Sequence, residues 1–242
     1  MTAEVRAIEL FPTRLFLLPL EEGYLLIDTA YPAKYGAFRR ALRRLGIPLQ
    51  AIRYLLLTHA HDDHAGFAAP LLKATGAKLI VHAAELPVLA AGRIASPAES
   101  AEGRMLNRCC TLLTTLHGRL TGRSYTFPPL RPRAGDLIVE GDDAELLRRL
   151  GIAGRILWTP GHTAGSISVL LDDGRAFVGD AAMNFLRLCR TGYRPLYAED
   201  YSQVFRSWAR LLEAGARQIY PAHGWPFAAA RLREALREMG AG

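Results

Sequence analysis

"THAHDDHAG", Thr58–Gly66, places three histidines and two aspartates in the six positions from His59 to His64. A soluble chain seldom crowds so many ligand-type side chains together without a metal to hold. Imidazole and carboxylate suit Zn²⁺ and related divalent ions. The spacing is His-x-His-x-Asp-His. The run leaves a buried apolar strand, "IRYLLLT", and enters a helix, "GFAAPLLKATG". Leaving the strand as a loop, His59 and His61 can face one ion together. Asp63 and His64 are then presented from the helix start to a neighbouring ion. Asp62 has the same chemistry as Asp63, so the pair raises the question of which carboxylate binds.

The same placement recurs along the chain. His162 follows "ILWTPG", Asp180 ends "AFVGD" and His223 follows "IYPA". Five of the seven histidines therefore sit just beyond predicted strands. Side chains there converge when a rigid core aims their loops at one point. Asp180 can then bridge two ions, with one oxygen on each. His82 also ends a strand, "AKLIVH", where an ordinary hydrogen-bonded role is expected, and His117 is read as a structural residue.

Around these points the chain alternates strands and helices. Short strands "AEVRAIELF", "RLFLLPL" and "GYLLIDTA" precede a helix from about Ala33 to Leu45, ended by Gly46. That helix turns the arginines of "FRRALRRLG" to solvent. Residues 83–132 break the alternation. "AAELPVLAAG" and "ESAEGRMLNRCCTLLTTLHGRL" read as helical, and "TFPPLRPRAGD" as a proline-rich exit. This is read as a helical, cap-like insertion. The second half resumes with "SISVLLDDGRAFVGD" as a hairpin. A helix follows in "AEDYSQVFRSWARLLEAG", with Asp200 or Ser202 near its cap, then the strand "RQIYPAHG" and a final helix "PFAAARLREALREMG".

Taken in order, "THAHDDHAG", "TPGHTAGSIS", "FVGDA" and "YPAHG" resemble the signature of the metallo-β-lactamase superfamily of hydrolases. The resemblance runs from "YLLIDT" to the final helix. It implies an α/β fold, a four-layer αβ/βα sandwich forming one domain over residues 1–242, with 83–132 inserted. It implies two metals at one sheet edge, Zn²⁺ foremost, with iron or manganese as alternatives. Carried over, His59, His61 and His162 make one site, and Asp63, His64 and His223 the other, with Asp180 bridging. Asp63 is then the ligand and Asp62 its variable neighbour. Asp28, in "LLIDT", takes a supporting role. The implied reaction is attack of a metal-bridging hydroxide on a small ester, lactone or thioester carbonyl. Asp63 and Asp180 are the catalytic carboxylates. Tyr193, Tyr197 and Met183, after the bridging aspartate, are the candidates for contact with substrate.

The superfamily hosts many chemistries, and fold does not choose among them. Many of its acyl-homoserine lactonases carry a tyrosine three residues beyond the bridging aspartate, where this chain has Met183. Glyoxalase II-type thioesterases carry a glycine-rich segment there and a basic C-terminal site. This chain has "AAMNFLRLCRTGY" and, near its end, Arg231, Arg233 and Arg237. His61 argues against the flavodiiron redox members. Phosphodiesterase or nuclease activity, β-lactam cleavage and a non-hydrolytic iron or redox role are the alternatives.

Composition bounds the rest. The chain has 242 residues, half of them hydrophobic, enough for one well-buried core. Its formal charge is +7, a balance that can serve acidic partners. The positive charge is nearly all arginine, and the basic run "FRRALRRLG" has helical period, so a solvated helix face is expected there rather than a nucleic-acid surface. Three cysteines, Cys109, Cys110 and Cys189, form no disulfide or zinc pattern. The apolar runs are strand-length, and "MTAEVRAIEL" lacks the features of a signal peptide. The expected partner is a small-molecule substrate, the expected location cytoplasmic with no membrane association, and a homo-oligomer is compatible with the sequence.

Overall fold

A computed structural model describes residues 4–94, 104–105, 112, 116, 125–185 and 191–240. Strands β1 (Arg6–Leu10), β2 (Thr13–Pro19), β3 (Tyr24–Ile27), β4 (Ile52–Leu56) and β5 (Lys78–His82) build most of the first sheet. After β6 (Arg104–Met105), β7 (Leu137–Val139) completes it in the order β1-β2-β3-β4-β5-β7. β1, β2 and β3 pair antiparallel, whereas β3, β4, β5 and β7 run parallel. The second sheet contains β8 (Gly154–Trp158), β9 (Ile167–Leu171) and β10 (Arg175–Gly179). After β11 (Tyr197–Ala198) come β12 (Gln218–Pro221) and β13 (Phe227–Ala228), and the order is β13-β12-β10-β9-β8.

The period-two alternation of side chains along a strand decides how the layers stack. In β2, Leu15 and Leu17 join one apolar cluster, and Phe16 and Leu18 join another. The second cluster also takes Ile156, Val169 and Phe177 from the opposite sheet, so it is the core between the sheets. The first cluster is closed by α1 (Tyr35–Arg44), α2 (Ala68–Thr75) and α3 (Leu86–Ala91), through Phe38, Leu71 and Leu89 among others. The short α4 (Leu146–Arg149) sends Leu146 and Leu147 into the inter-sheet core. On the far side, α5 (Tyr201–Glu213) and α6 (Ala230–Glu238) cover Ala176 and Val178 of β10. The result is the helix–sheet–sheet–helix stack. Each fully buried Leu or Phe contributes roughly 1.5–3 kcal/mol. Truncating Phe177, wholly buried between the sheets, would cost about 3–5 kcal/mol.

Helix positions follow local chemistry. α1 buries Phe38 and Leu42, four residues apart, and turns its arginines outward. α5 buries Val204, Ser207, Trp208 and Leu211 on one face. Its cap is Asp200, not Ser202: Asp200 Oδ1 accepts from the N–H of Ser202 at 2.7 Å and of Gln203 at 3.2 Å.

Three features differ from the sequence reading. β7 was not anticipated: "DLIV" is short, and its partner β5 lies far back in the chain, with Leu137 opposite Ile80. The last helix starts at Ala230 rather than Pro226, because Phe227 and Ala228 pair with Ile219 and Gln218 of β12. The 83–132 segment is not purely helical. β6 within it pairs with β11, and Arg93 bridges to Thr126. Most of the predicted helical stretch over 99–120, with His117, Cys109 and Cys110, lies outside the described residues, as does Cys189. Among the described residues, no helix is long and apolar enough to cross a membrane.

Candidate metal centre

The C-terminal ends of β3, β4, β8, β10 and β12 meet at one edge of the sandwich and deliver the polar residues. β4 leads to His59 and His61, and the next turn carries Asp63 and His64. That turn is closed by the N–H groups of His64 and Ala65, both donating to the His61 carbonyl. β8 leads to His162, β10 to Asp180 and β12 to His223. The sheets are tied together here. Ile167 N–H donates to the Thr58 carbonyl at 2.9 Å, and Arg14 N–H to the Ala222 carbonyl at 2.8 Å. Gly179, just before Asp180, has φ +51°, and a Cβ there would collide with the Thr58 hydroxyl. Only glycine permits this approach of the two ligand-bearing loops.

All seven residues named from the sequence are brought together. His162 Nε2 lies 3.1 Å from His59 Nε2 and 3.0 Å from His61 Nδ1. His223 Nε2 lies 3.2 Å from Asp63 Oδ2 and 3.4 Å from His64 Nε2. Asp180 stands between: Oδ1 is 3.3 Å from His64 Nε2, and Oδ2 is 3.6 Å from His162 Nε2. The groups His59–His61–His162 and Asp63–His64–His223 each converge closely enough to hold one ion, and His59–His64–Asp180 links them. Asp63, not Asp62, is the carboxylate in these groups, although both are buried.

The outer nitrogens are anchored, which fixes how each ring faces inward. His64 Nδ1 pairs with Asp28 Oδ2 at 2.9 Å, His162 Nδ1 with the Tyr197 carbonyl at 2.8 Å and His223 Nδ1 with the Pro12 carbonyl at 3.0 Å. His59 Nδ1 meets the Thr58 hydroxyl at 3.2 Å, and that hydroxyl donates to Asp28 Oδ2 at 2.8 Å. With those nitrogens carrying the proton of the neutral ring, the inner Nε2 atoms are the ones left to bind an ion.

Burial holds His59 and His61 well below the ordinary imidazole pKa, with the neighbouring histidines adding to the effect. Burial also lowers His162, although Asp180 opposes it. For His64, burial acts downward but is outweighed by Asp180 and Asp28, which push it well above the usual value. His223 is raised in the same way by Asp180 and Asp63. Burial disfavours charge on Asp180, yet His223 and His64 hold its carboxyl far below the carboxylate range.

These residues fit divalent ions. His162 Nε2 faces the His59 and His61 nitrogens at 3.1 and 3.0 Å, and one proton can serve only one of these two contacts. A tetrahedral ion bound at about 2.0–2.1 Å holds such nitrogens about 3.3 Å apart. Asp180 Oδ1 is buried and makes no hydrogen bond of good geometry, with His64 and His223 Nε2 only loosely placed at 3.3 and 3.4 Å, a loose state for a carboxylate oxygen and an ordinary one for a ligand. The histidine and aspartate clusters are compatible with a dinuclear metal site.

A two-sheet sandwich with such a cluster at its edge defines a class, the metallo-hydrolases of this fold. The sequence matches the metallo-beta-lactamase superfamily over residues 11–223, and the chain belongs to that superfamily. YobT of Bacillus subtilis is 30% identical over 174 residues, 71% of this chain and 63% of that protein. YflN of the same organism, described as a probable metallo-hydrolase, is 29% identical over 173 residues, 69% of this chain and 58% of that protein. The match thus spans under two thirds of either relative's length. Among solved structures, the metallo-beta-lactamase family protein TTHA1429 of Thermus thermophilus superposes with a TM-score of 0.68 at 27% identity. That alignment covers 98% of this chain and 79% of the other.

The three substrate-contact candidates separate. The Tyr197 ring lies 6.1 Å from both the His61 and His162 rings. Tyr193 packs on Phe227 at 4.4 Å, within the helix-side core of the second sheet. Met183 is 2% exposed in that same region, its N–H bound to the Tyr193 carbonyl, so it lies beneath the surface rather than on it. The sequence reading missed other residues at this edge. Phe11 and Trp225 are large and exposed, at 72% and 65%. Phe185 links Phe11 to the site, with its ring 6.0 Å from Phe11 and 6.4 Å from His223, and Trp225 follows His223 by two residues. Their signal was weak, since single exposed aromatics are common on protein surfaces.

Proposed function

We propose that the chain is a dinuclear metal-dependent hydrolase acting on a small ester, lactone or thioester. The observation that carries the hydrolase reading is the convergence of imidazoles, with His162 Nε2 3.1 Å from His59 Nε2 and 3.0 Å from His61 Nδ1, beside the buried Asp180 carboxylate. In this reading His59, His61 and His162 would hold one ion and Asp63, His64 and His223 the other, with Asp180 shared between them. Zn²⁺ suits this nitrogen-rich set best, with iron or manganese as the alternatives. Two such ions supply Lewis acidity and a water of lowered pKa.

The protein's own part is positional. Asp28, Pro12 and Tyr197 hold the imidazoles from behind, so the ligand nitrogens need little reorganisation on binding. Asp63 sits beside His223, where its carboxylate can accept a proton during turnover. The Tyr197 ring, next to His61 and His162, borders the space where a substrate would lie.

The preference for a carbonyl substrate with an apolar group is supported by Phe11, Phe185 and Trp225 beside His223. Asn184 clasps Trp225 from both sides: its Oδ1 accepts from Trp225 N–H and its Nδ2 donates to the Trp225 carbonyl, each at 2.8 Å. Arg14 stacks on the Trp225 ring at 4.0 Å and pairs with Glu9 at 2.8 Å. Its charge is thereby engaged, which favours the apolar reading over a phosphodiester. A metal-loaded preparation assayed on esters, lactones, thioesters, β-lactams and phosphodiesters tests the assignment. Hydrolysis of the carbonyl substrates, abolished by chelation and by His61→Ala, is the expected result. Turnover that survives both would refute the metal mechanism, and a phosphodiester as best substrate would refute the substrate class.

A further inference from the structure

Glu85 stands outside the three ligand groups, yet its buried carboxylate joins two of the loops that carry them. It follows β5 in the short turn Ala83–Glu85 and is 3% exposed. Its Oε2 accepts from Ala60 N–H at 2.8 Å. Its Oε1 accepts from the Thr163 hydroxyl at 2.7 Å and from Gly165 N–H at 3.1 Å. Ala60 lies between His59 and His61, and Thr163 directly follows His162. The two loops come from different sheets, and together they carry the whole first triad. The residues of the second group, Asp63, His64 and His223, receive none of these bonds.

The fit is tight on both sides. A Cβ on Gly165 would lie 2.5 Å from Glu85 Oε1 and 2.7 Å from its Cγ. The glycine therefore admits the carboxylate, and the carboxylate fills the place where a side chain would stand. Two of the three donors are backbone N–H groups, which cannot rotate or switch to accepting. Each carboxylate oxygen takes one of them.

We propose that Glu85 is the positioning residue of the first metal site: it sets the separation of the His59–His61 loop from the His162 loop without touching the ion. This rests on the two-metal reading above. Glutamine has the same shape but one acceptor and one donor. It can satisfy Ala60 or Gly165, and at the other loop it opposes N–H to N–H. Glu85→Gln should thus disturb the triad as a bonding defect, not as a packing defect.

The test is a Co²⁺ titration of the metal-free protein against a chromophoric chelator. It is read as two stepwise affinities and as visible absorption, beside the melting temperature of the metal-free form. His223→Ala identifies which step belongs to which site. Wild type should take up two ions. Glu85→Gln should weaken the triad ion roughly 10–100-fold, as loss of groups supporting metal ligands does, and change the other less than about threefold. Thr163→Val removes one of the three bonds and guards against a Glu85 variant that does not fold; it should weaken the same ion by a smaller factor. Unchanged triad affinity in a folded Glu85→Gln or in Thr163→Val would overturn the proposal, as would equal loss at both sites. Wild type that binds no ion would overturn the metal reading and this inference with it. Wild type that binds two, with the variants unaltered, would overturn this inference alone.

Discussion

His64 and Asp28 meet through Nδ1 and Oδ2 at 2.9 Å, both buried. The same carboxylate accepts from Thr58 N–H at 2.7 Å and from the Thr58 hydroxyl at 2.8 Å. Asp28 reaches these partners with φ +61°, in the left-handed region, which aspartate and asparagine tolerate better than most residues. One side chain thus holds the loop before His59 and orients His64. Asp28→Asn keeps the backbone but replaces one acceptor oxygen with a donor. The expected outcome is a loss of roughly 10–100-fold in affinity for the ion held through His64, measured by metal titration with the fold checked by circular dichroism.

Asp62 and Asp63 are both buried, but only Asp63 joins a ligand group. Asp63→Ala should bind one ion instead of two and lose most activity. Asp62→Ala should keep both ions, whatever it costs in stability. Metal content per chain after gel filtration checks this, and equal loss in the two variants would contradict the assignment.

Proton competition should differ between the two sites. His64 and His223 are raised by Asp180 and their other acidic neighbours against the effect of burial, so an ion must displace protons from them up to a higher pH than from an ordinary imidazole. His59 and His61, lowered by burial, are already neutral. The second site should therefore gain affinity as pH rises, until the raised histidine pKa values are passed, and empty first on acidification. The first site should change little over the same range. Calorimetry in buffers of different ionisation enthalpy counts the protons released at each step. Equal release at both would contradict the ordering.

Asp200 caps α5, and its carboxyl is lowered to about 2, chiefly by the Ser202 hydroxyl bond. A depressed folded pKa contributes stability above the unfolded value and loses it as pH falls through the folded one. Asp200→Ala should cost about 1 kcal/mol at neutral pH. The difference from wild type should shrink as pH falls from about 4 toward 2. Urea unfolding at several pH values measures it.

The aromatic group beside His223 should act on binding. Trp225→Ala and Phe11→Ala should each raise KM for a substrate with an apolar group roughly tenfold, as loss of a buried aromatic contact implies, with kcat nearly unchanged. A fall in kcat at constant KM would place these residues elsewhere in the reaction.

Much of the site was legible in the sequence because its residues follow strands. An apolar run that ends in His-x-His-x-Asp-His, and others that end in His162, Asp180 and His223, announce a shared site before any coordinates exist, although these strands belong to two sheets rather than one. The layers were legible for the same reason, since period-two strands and amphipathic helices such as α1 state which face is buried. β7 and β13 were not, because a strand of two or three residues is defined by its partner: the partner of β7 lies far back in the chain, and β13 itself falls in a helix-like run. Nor could the sequence show Glu85 between two loops, or the carbonyls of Pro12 and Tyr197 behind His223 and His162. Every residue has a carbonyl, and a lone glutamate in "AAELP" looks like a helix-start residue. Ligand identity is thus carried by residue type and spacing, which are local. The support behind the ligands depends on which loops of two different sheets come to lie side by side, and that is decided only when the sandwich closes.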